Sequence, residues 1–349
     1  MLIIIIIFAI KKQDIIFEKN KPLRMKSLRI NNKNPLIKPH ELNNQILLME
    51  KKELLDFISI TVDKKIKFVK CIFLGNNQRF GNKIRTIYKI IFYCHILRCK
   101  KIFLDKKKVW FIKNKIVDKK YKIIIVPEGG KNIKFCKTII DNTWNFYYYS
   151  KYIIPEKRID LLKEEILINL PKIKTYPNDL FIYIRSGDIF VRPHYLYSQP
   201  PLCFYCKILD NYMFRKYYLI AENKNNPVIE KILEIKSNVI YNRNPLYIDI
   251  AYLTNAYNLV GGKISTFLEA IIPLNNNLKN LWIFLLKTQN KSIKEKYNKF
   301  RNHKTNIYEM NASDKYVKNM KIWSNLKLQR NLMINEICIN EFKMFSLIK

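Results

Sequence analysis

Short apolar runs alternate with amphipathic stretches along most of the chain, and turn formers separate them. KFVKCIFLG (67–75) is a β-branched and aromatic run ended by Gly75, which predicts a strand. The loop NNQRFGN follows, and KIRTIYKIIFYCHIL (83–97) then spaces its apolar residues at helical intervals. KKIFLD, VWFI and YKIIIVP read as further short strands, the last stopped by Pro127 and the Gly129-Gly130 pair. IDLLKEEILINLPK (159–172) reads as a helix closing this half. The second half is more regular. DLFIYIRSGD predicts a strand at 180–184, PLCFYCKILDNY a helix, KYYLIAEN a strand, and NPVIEKILEI a helix whose Pro227 suits a first turn. NVIYN, PLYIDIAYLTNAY, NLVGG, ISTFLEAIIPLN and NLWIFLL continue as strand, helix, strand, helix and a last strand.

Strict alternation of strand and helix periods implies βαβ units, parallel pairing and right-handed crossovers. The expected fold class is therefore α/β, as two Rossmann-like domains with a cleft between them and a C-terminal helical tail. Residues 1–65 form an apolar start and a polar, Asn/Lys-rich stem. Residues 66–175 form the first domain, 176–290 the second, and 291–349 the tail. In that tail, 316–341 reads as helical, with Val317, Met320, Ile322, Trp323, Leu326, Leu332 and Met333 as an apolar stripe. The stripe packs back across the body or binds a partner.

Composition changes this picture little. A hydrophobic content of 48% excludes global disorder, and only 7 glycines over 349 residues exclude collagen-like and Gly-rich architectures. The formal charge of +36 attracts polyanions. Of the 64 basic residues, however, only 12 are arginine, the residue suited to bidentate phosphate and base contacts, leaving 52 lysines spread along the whole chain. Lys, Asn and Ile share A/T-rich codons, so compositional drift accounts for the excess. A basic nucleic-acid-binding protein stays as an alternative, with no specific nucleic acid expected. Seven cysteines at scattered spacings do not outline a disulfide framework, and Cys203-Phe-Tyr-Cys206 lacks the four ligands of a zinc site. It reads as two helical thiols on a half-buried face. The nine apolar residues 2–10 are too few to span a bilayer alone, with no basic residue before them and no small-residue cleavage site after. They are a possible membrane tether.

Three strand ends carry candidate chemistry, because parallel α/β sheets bind ligands beyond the carboxyl ends of their strands. Around Gly75-NNQRF-Gly81-Asn82, Gly75 and Gly81 permit a tight turn while Arg79 and Asn82 offer donors, without a Walker or GxGxxG pattern. At Tyr183-Ile184-Arg185-Ser186-Gly187-Asp188, an arginine leaves a buried strand and must meet a carboxylate or a ligand anion. Either Arg185 pairs internally with Asp188 to shape the loop, or Arg185 presents its fork to a phosphate while Asp188 orients it. At Gly261-Gly262-Lys263-Ile264-Ser265-Thr266, Ser265 or Thr266 either caps a helix and does nothing else, or helps a free helix terminus hold a diphosphate.

YIRSGD, PHYLYSQPPLCFY, YYLIAEN and DIAYLTNAYNLVGGKISTF, in that order, resemble the motifs of GDP-fucose-dependent glycosyltransferases: the α-1,2-, α-1,6- and protein O-fucosyltransferases. That family's first motif is His-x-Arg-x-x-Asp; Arg185 and Asp188 match it, and Tyr183 stands in the histidine position. GGKISTF contains one residue more than the usual spacing before its Ser-Thr. The resemblance implies a two-domain GT-B fold, GDP-fucose as donor substrate, a glycan or glycoprotein acceptor, no permanently bound cofactor and a Golgi or ER lumen location, or a cytoplasmic one if 2–10 is no signal. It implies that Arg185 binds the β-phosphate and stabilises the charge developing as the sugar–phosphate bond breaks. Glu222 then falls near guanine or ribose, Asp249 begins the helix leading to the third motif, and Ser265 and Thr266 lie near the diphosphate. Gly75, Asn77, Arg79 and Asn82 resemble the loop that faces the donor from the other domain. The chain contains no Asp-x-Asp, the metal-binding signature of GT-A enzymes, so a metal-independent inverting transfer is expected. The alternatives are another nucleotide sugar on the same fold and a diverged, inactive copy.

Overall fold

The computed structural model describes residues 71–74, 79–84, 86–87, 91, 100–118, 123–128, 138–140, 159–194, 197–241, 243–262, 266–286 and 305–347. The β-branched runs of the first half form β1 (Cys71–Leu74), β2 (Lys101–Asp105), β3 (Ile116–Asp118), β4 (Ile123–Glu128) and β5 (Thr138–Ile140). They assemble in the order β3-β4-β2-β1-β5, parallel except for β3. Residues 80–84, just after the first loop, are helical.

Two expectations for this half are corrected. VWFI is no strand: the Asp105 carboxylate accepts from Lys107 N, and the Asp105 carbonyl from Lys108 N and Val109 N. The chain therefore turns and drops Val109, Phe111 and Ile112 into the core. Pro127 does not stop β4, which runs on to Glu128. β3 pairs only with Ile123 to Ile125, so at Pro127 one flank of β4 is an edge that needs no N–H donor.

After α1 (Ile159–Ile168) the second sheet begins. Its elements are β6 (Asp179–Tyr183), α2 (Asp188–Val191), α3 (Leu202–Asn211), β7 (Lys216–Ile220), α4 (Pro227–Ile235), β8 (Val239–Tyr241), α5 (Leu246–Asn255), β9 (Asn258–Gly262), α6 (Thr266–Leu274) and β10 (Asn280–Leu285). Pro227 opens α4 as expected, with the Asn226 side chain accepting from Val228 N as the N-cap. Alternate β6 residues face opposite layers. Leu180 and Ile182 join the buried cluster with Phe204, Ile208, Val228 and Ile232, while Phe181 packs against Tyr218 and Tyr252.

The tail is not only helical, which corrects the expectation of a single stretch over 316–341. β11 (Thr305–Asn311) adds in parallel to β10, and β12 (Lys343–Leu347) adds antiparallel to β11, giving seven strands in the order β12-β11-β10-β9-β6-β7-β8. Between them lie α7 (Asp314–Met320) and α8 (Lys327–Asn335). They are separated by Asn325, whose φ of 57° no helix accommodates. Of the expected stripe, Met320, Trp323 and Met333 are buried, and Ile322 and Leu326 are exposed. Cys203 on α3 forms a disulfide with Cys338 after α8, their Cα atoms 5.5 Å apart, and only Cys206 of the helical pair is a free thiol.

Both sheets belong to one compact unit comprising 71–95 and 100–349. Helix α1 touches each: Glu165 accepts from Lys113 N and Asn114 N beside the first sheet, and Lys163 donates to the Pro273 carbonyl beside the second. No helix among the described residues is long and apolar enough to cross a membrane. The apolar stretch 2–10, the stem to residue 65, Gly75, Asn77, Lys263 and Ser265 lie outside the described residues.

Candidate functional site

From β6 the chain builds outward to β7 and β8 on one flank, then returns to lay β9, β10 and β11 on the other. That reversal makes the junction of β6 and β9 a topological switch point, the place at which parallel α/β sheets bind ligands. Arg185 leaves β6 there, and Gly261 and Gly262 end β9 there. Both glycines are fitted to close approach. A Cβ on Gly262 would come 3.1 Å from Pro200, and one on Gly261 would collide with the Leu268 side chain of α6.

Arg185 keeps 16% of its side chain exposed. Its guanidinium lies over the Tyr197 ring, 4.1 Å from the centroid, and its Nη2 is 3.8 Å from Asp188 Oδ1. That ion pair is long, so Arg185 is oriented by stacking more than by a charge-assisted hydrogen bond. Arg79 completes the cluster from the first half of the chain. Its Nη1 sits 3.1 Å from both Asp188 Oδ1 and Glu222 Oε2, and its side chain is 59% exposed. Two guanidiniums and two carboxylates thus converge from the chain after β1, after β6 and after β7, and their charges balance.

The loop carrying Arg185 is pinned by amides that sequence reasoning did not single out. The Asn226 side chain donates to the Arg185 carbonyl at 3.1 Å, and Asn226 N donates to Ser186 Oγ at 3.1 Å. Asn223 Oδ1 accepts from Ser186 Oγ at 2.6 Å and from Gly187 N at 3.1 Å. Gly187 has φ +73°, and a Cβ there would lie 2.5 Å from Glu222 Cδ. The only advance sign of this clamp is Asn226 before Pro227, a cap pattern that also suits an ordinary helix start. Tyr197, in turn, is indistinguishable in sequence from the many core tyrosines.

Of the remaining expected residues, Thr266 opens α6 with its backbone against Gly81, and Asp249 is not part of the cluster. Gly81 packs directly on the start of α6: a Cβ on it would lie 2.5 Å from the Thr266 carbonyl carbon and 2.7 Å from Phe267 N. Phe80 and Phe267 meet with ring centroids 6.0 Å apart, and Asn82 occupies the same helical turn, half-buried. Asp249 is buried in the first turn of α5 and accepts from Asn244 Nδ2 at 3.2 Å. Burial pushes its carboxyl up to about 7, only partly opposed by that hydrogen bond.

A cavity beside Arg185, lined by Tyr183, Ser198, Gln199, Pro200, Tyr205 and Gly262, encloses about 10 Å³, the space of one water molecule. The exposed flank at Arg79 is open by contrast. No group of three or more metal-ligating side chains occurs among the described residues. Chemically, the cluster can hold an anion between two guanidiniums, with Glu222 able to accept from a donor such as a purine amide or a sugar hydroxyl. Comparison with known protein families, with curated proteins and with solved structures returns no match to this chain.

Proposed function

We propose that the chain is a fucosyltransferase-like glycosyltransferase of the two-domain GT-B type, taking GDP-fucose as donor and a glycan or protein hydroxyl as acceptor. The observation that carries this reading is Arg185. It stands at the carboxyl end of β6, beside the switch point, stacked on Tyr197 and only loosely paired with Asp188. Arg79 approaches the same carboxylate from the other sheet's loop. Exposed ion pairs such as Arg79–Glu222 contribute about 1 kcal/mol or less, so a diphosphate can displace them. The donor enters from the exposed flank, since the cavity of about 10 Å³ is too small for a nucleotide.

In the transfer, the bond between fucose C1 and the β-phosphate oxygen breaks through an oxocarbenium-like state while the acceptor oxygen attacks the opposite face. Negative charge grows on the leaving GDP. Arg185 and Arg79, released from their carboxylates as the donor binds, stabilise it, and the first turn of α6 adds its dipole. Glu222 serves the base or ribose, and Asp188 keeps both guanidiniums in register. No residue is assigned as general base. The disulfide supports a luminal, oxidising location over a reducing one.

The test is a thermal shift series with GDP, UDP and ADP, followed by GDP-fucose consumption. GDP is expected to stabilise the protein, and the other two are expected to do so far less. Arg185→Ala is expected to lower turnover by about two orders of magnitude or more, as loss of a comparable charge stabiliser does. Unchanged turnover in that variant removes the assignment. Stabilisation by GDP with no consumption points instead to a donor-binding copy that has lost activity.

A further inference from the structure

The tail after β11 is fastened to the loop that carries the candidate site. The Tyr316 hydroxyl donates to the Gln199 carbonyl at 2.7 Å, Trp323 Nε1 to the Ile189 carbonyl at 2.9 Å and Asn325 Nδ2 to the Phe190 carbonyl at 2.6 Å. Ser198 Oγ donates to the Met320 carbonyl, and the Arg330 guanidinium lies over the Phe190 ring. Ile189, Phe190, Ser198 and Gln199 are therefore each fastened to the tail. The tail is tied covalently at Cys338 to Cys203 in the first turn of α3.

Cys206 is a free thiol one helical turn further along α3. Helix geometry sets the Cα atoms of residues i and i+3 at about 5 Å, inside the Cα span of a disulfide, while their Cβ atoms, about 5–6 Å apart, must close to about 4 Å, so the exchange requires the first turn of α3 to shift. The free thiol thus lies on the same helix as the bonded Cys203, three residues further on. Burial and the neighbouring Asp210 carboxylate hold the Cys206 thiol above its ordinary value, opposed by Lys236. That keeps the thiolate scarce and the existing bond in place at neutral pH.

We propose that the Cys203–Cys338 disulfide is an exchangeable clamp, opened from within when Cys206 attacks Cys203 and passes the bond to the Cys203–Cys206 pair. The Cys206 thiolate sulfur forms the new bond to Cys203 Sγ, the Cys203–Cys338 bond breaks, and Cys338 leaves as a thiolate that takes up the proton Cys206 gave to solvent. Electrons balance with no external oxidant or reductant. Freed of its tether, the segment from α7 to Cys338 loosens, and with it the hydrogen bonds it makes to Ile189, Phe190, Ser198 and Gln199. The exchange does not depend on the glycosyltransferase reading.

The experiment uses the full-length oxidised protein, incubated at pH 8 without added thiol, quenched in acid and mapped by mass spectrometry after pepsin digestion. Wild type is expected to show both Cys203–Cys338 and Cys203–Cys206, with Cys338 free in the second population. Cys206→Ser is expected to show Cys203–Cys338 alone. Hydrogen–deuterium exchange of peptides containing Ile189, Phe190, Ser198 and Gln199 is expected to quicken about tenfold in Cys338→Ser and to run no faster than wild type in Cys206→Ser. The clamp is refuted if wild type holds only Cys203–Cys338 after prolonged incubation. A Cys206–Cys338 pairing, which would leave the tail tethered, refutes it too, as does a bond recruiting any other cysteine.

Discussion

Substituting Gly187 by alanine tests whether the site loop is held by backbone geometry or only by side-chain pairing. Gly187 sits at φ 73°, ψ −119°, a region that side-chain-bearing residues adopt at a cost of about 1–3 kcal/mol. The added methyl would also crowd the Glu222 carboxylate, 2.5 Å from its Cδ. A carboxylate end can swing aside, so that part of the cost is limited to the exposed Arg79–Glu222 pair, about 1 kcal/mol at most. Alanine lowers unfolded-chain entropy and returns about 0.4–1 kcal/mol. The net expectation is a loss of about 2 kcal/mol in urea unfolding, with an unchanged slope against denaturant. A double-mutant cycle separates the contributions: Glu222→Ala relieves the crowding and leaves the dihedral strain. In that background Gly187→Ala should still cost about 1 kcal/mol or more. Full rescue by Glu222→Ala, or a Gly187→Ala variant as stable as wild type, would refute the claim that the left-handed backbone at residue 187 requires glycine.

Gly81→Ala should destabilise by about 3 kcal/mol in the same assay, because its neighbours are Thr266 and Phe267 backbone atoms that cannot swing away; a loss under about 0.5 kcal/mol would show that the two segments do not meet. Asp249 binds its proton more tightly folded than unfolded, so its contribution to stability is full below about pH 4 and is lost as pH rises toward 7. Asp249→Asn, which keeps the acceptor for Asn244, should therefore raise the melting temperature above pH 7 and flatten its fall between pH 4 and 7; an identical pH profile would refute the burial assignment. Cys338→Ser removes a crosslink between residues 135 apart and should cost about 5 kcal/mol by loop entropy, read from the unfolding midpoint with and without reductant; a reductant-insensitive wild type would contradict the bond.

The second sheet as far as β10 was legible because its elements there each obey a single period. β6, β9 and β10 are largely apolar runs, as strands covered on both faces must be, and α4 carries the Asn226-Pro227 start signal. What escaped was non-local. β11, TNIYEMN, alternates weakly and lies beyond a long polar stretch, so nothing local marks it as a sheet member; its partner β10 supplies the reason it is a strand. The Cys203–Cys338 pairing is equally invisible, because connectivity over 135 residues follows from tertiary packing. At the site, the arginine and its Asp188 partner could be read from YIRSGD. Arg79 and Glu222 entered only as a loop donor and through the family resemblance, with no sign that they pair with each other and with Asp188, and Tyr197 was not singled out, since these contacts join stretches brought together by the sheet ends.

The fate of the arginines bears on what kind of anion this basic chain is built to meet. A surface that recognises nucleic acid keeps guanidiniums free to fork onto phosphates and base edges. Here Arg215 pairs with the buried Asp179 at 2.8 Å and lies over the Tyr176 ring, and Arg330 donates to Asn325 and stacks on Phe190. Both are spent on holding the fold. Arg79 and Arg185 are drawn to one point beyond the β6 carboxyl end, with Asp188 and Glu222 beside them. Two carboxylates at that point repel a bare polyanion. They suit a ligand that brings donors as well as phosphates, so that each carboxylate released by a guanidinium finds an N–H or O–H to accept. The lysine excess supplies the diffuse positive field, and this balanced cluster supplies selectivity. Among the described arginines, that division of labour fits the proposed nucleotide sugar better than a nucleic acid strand.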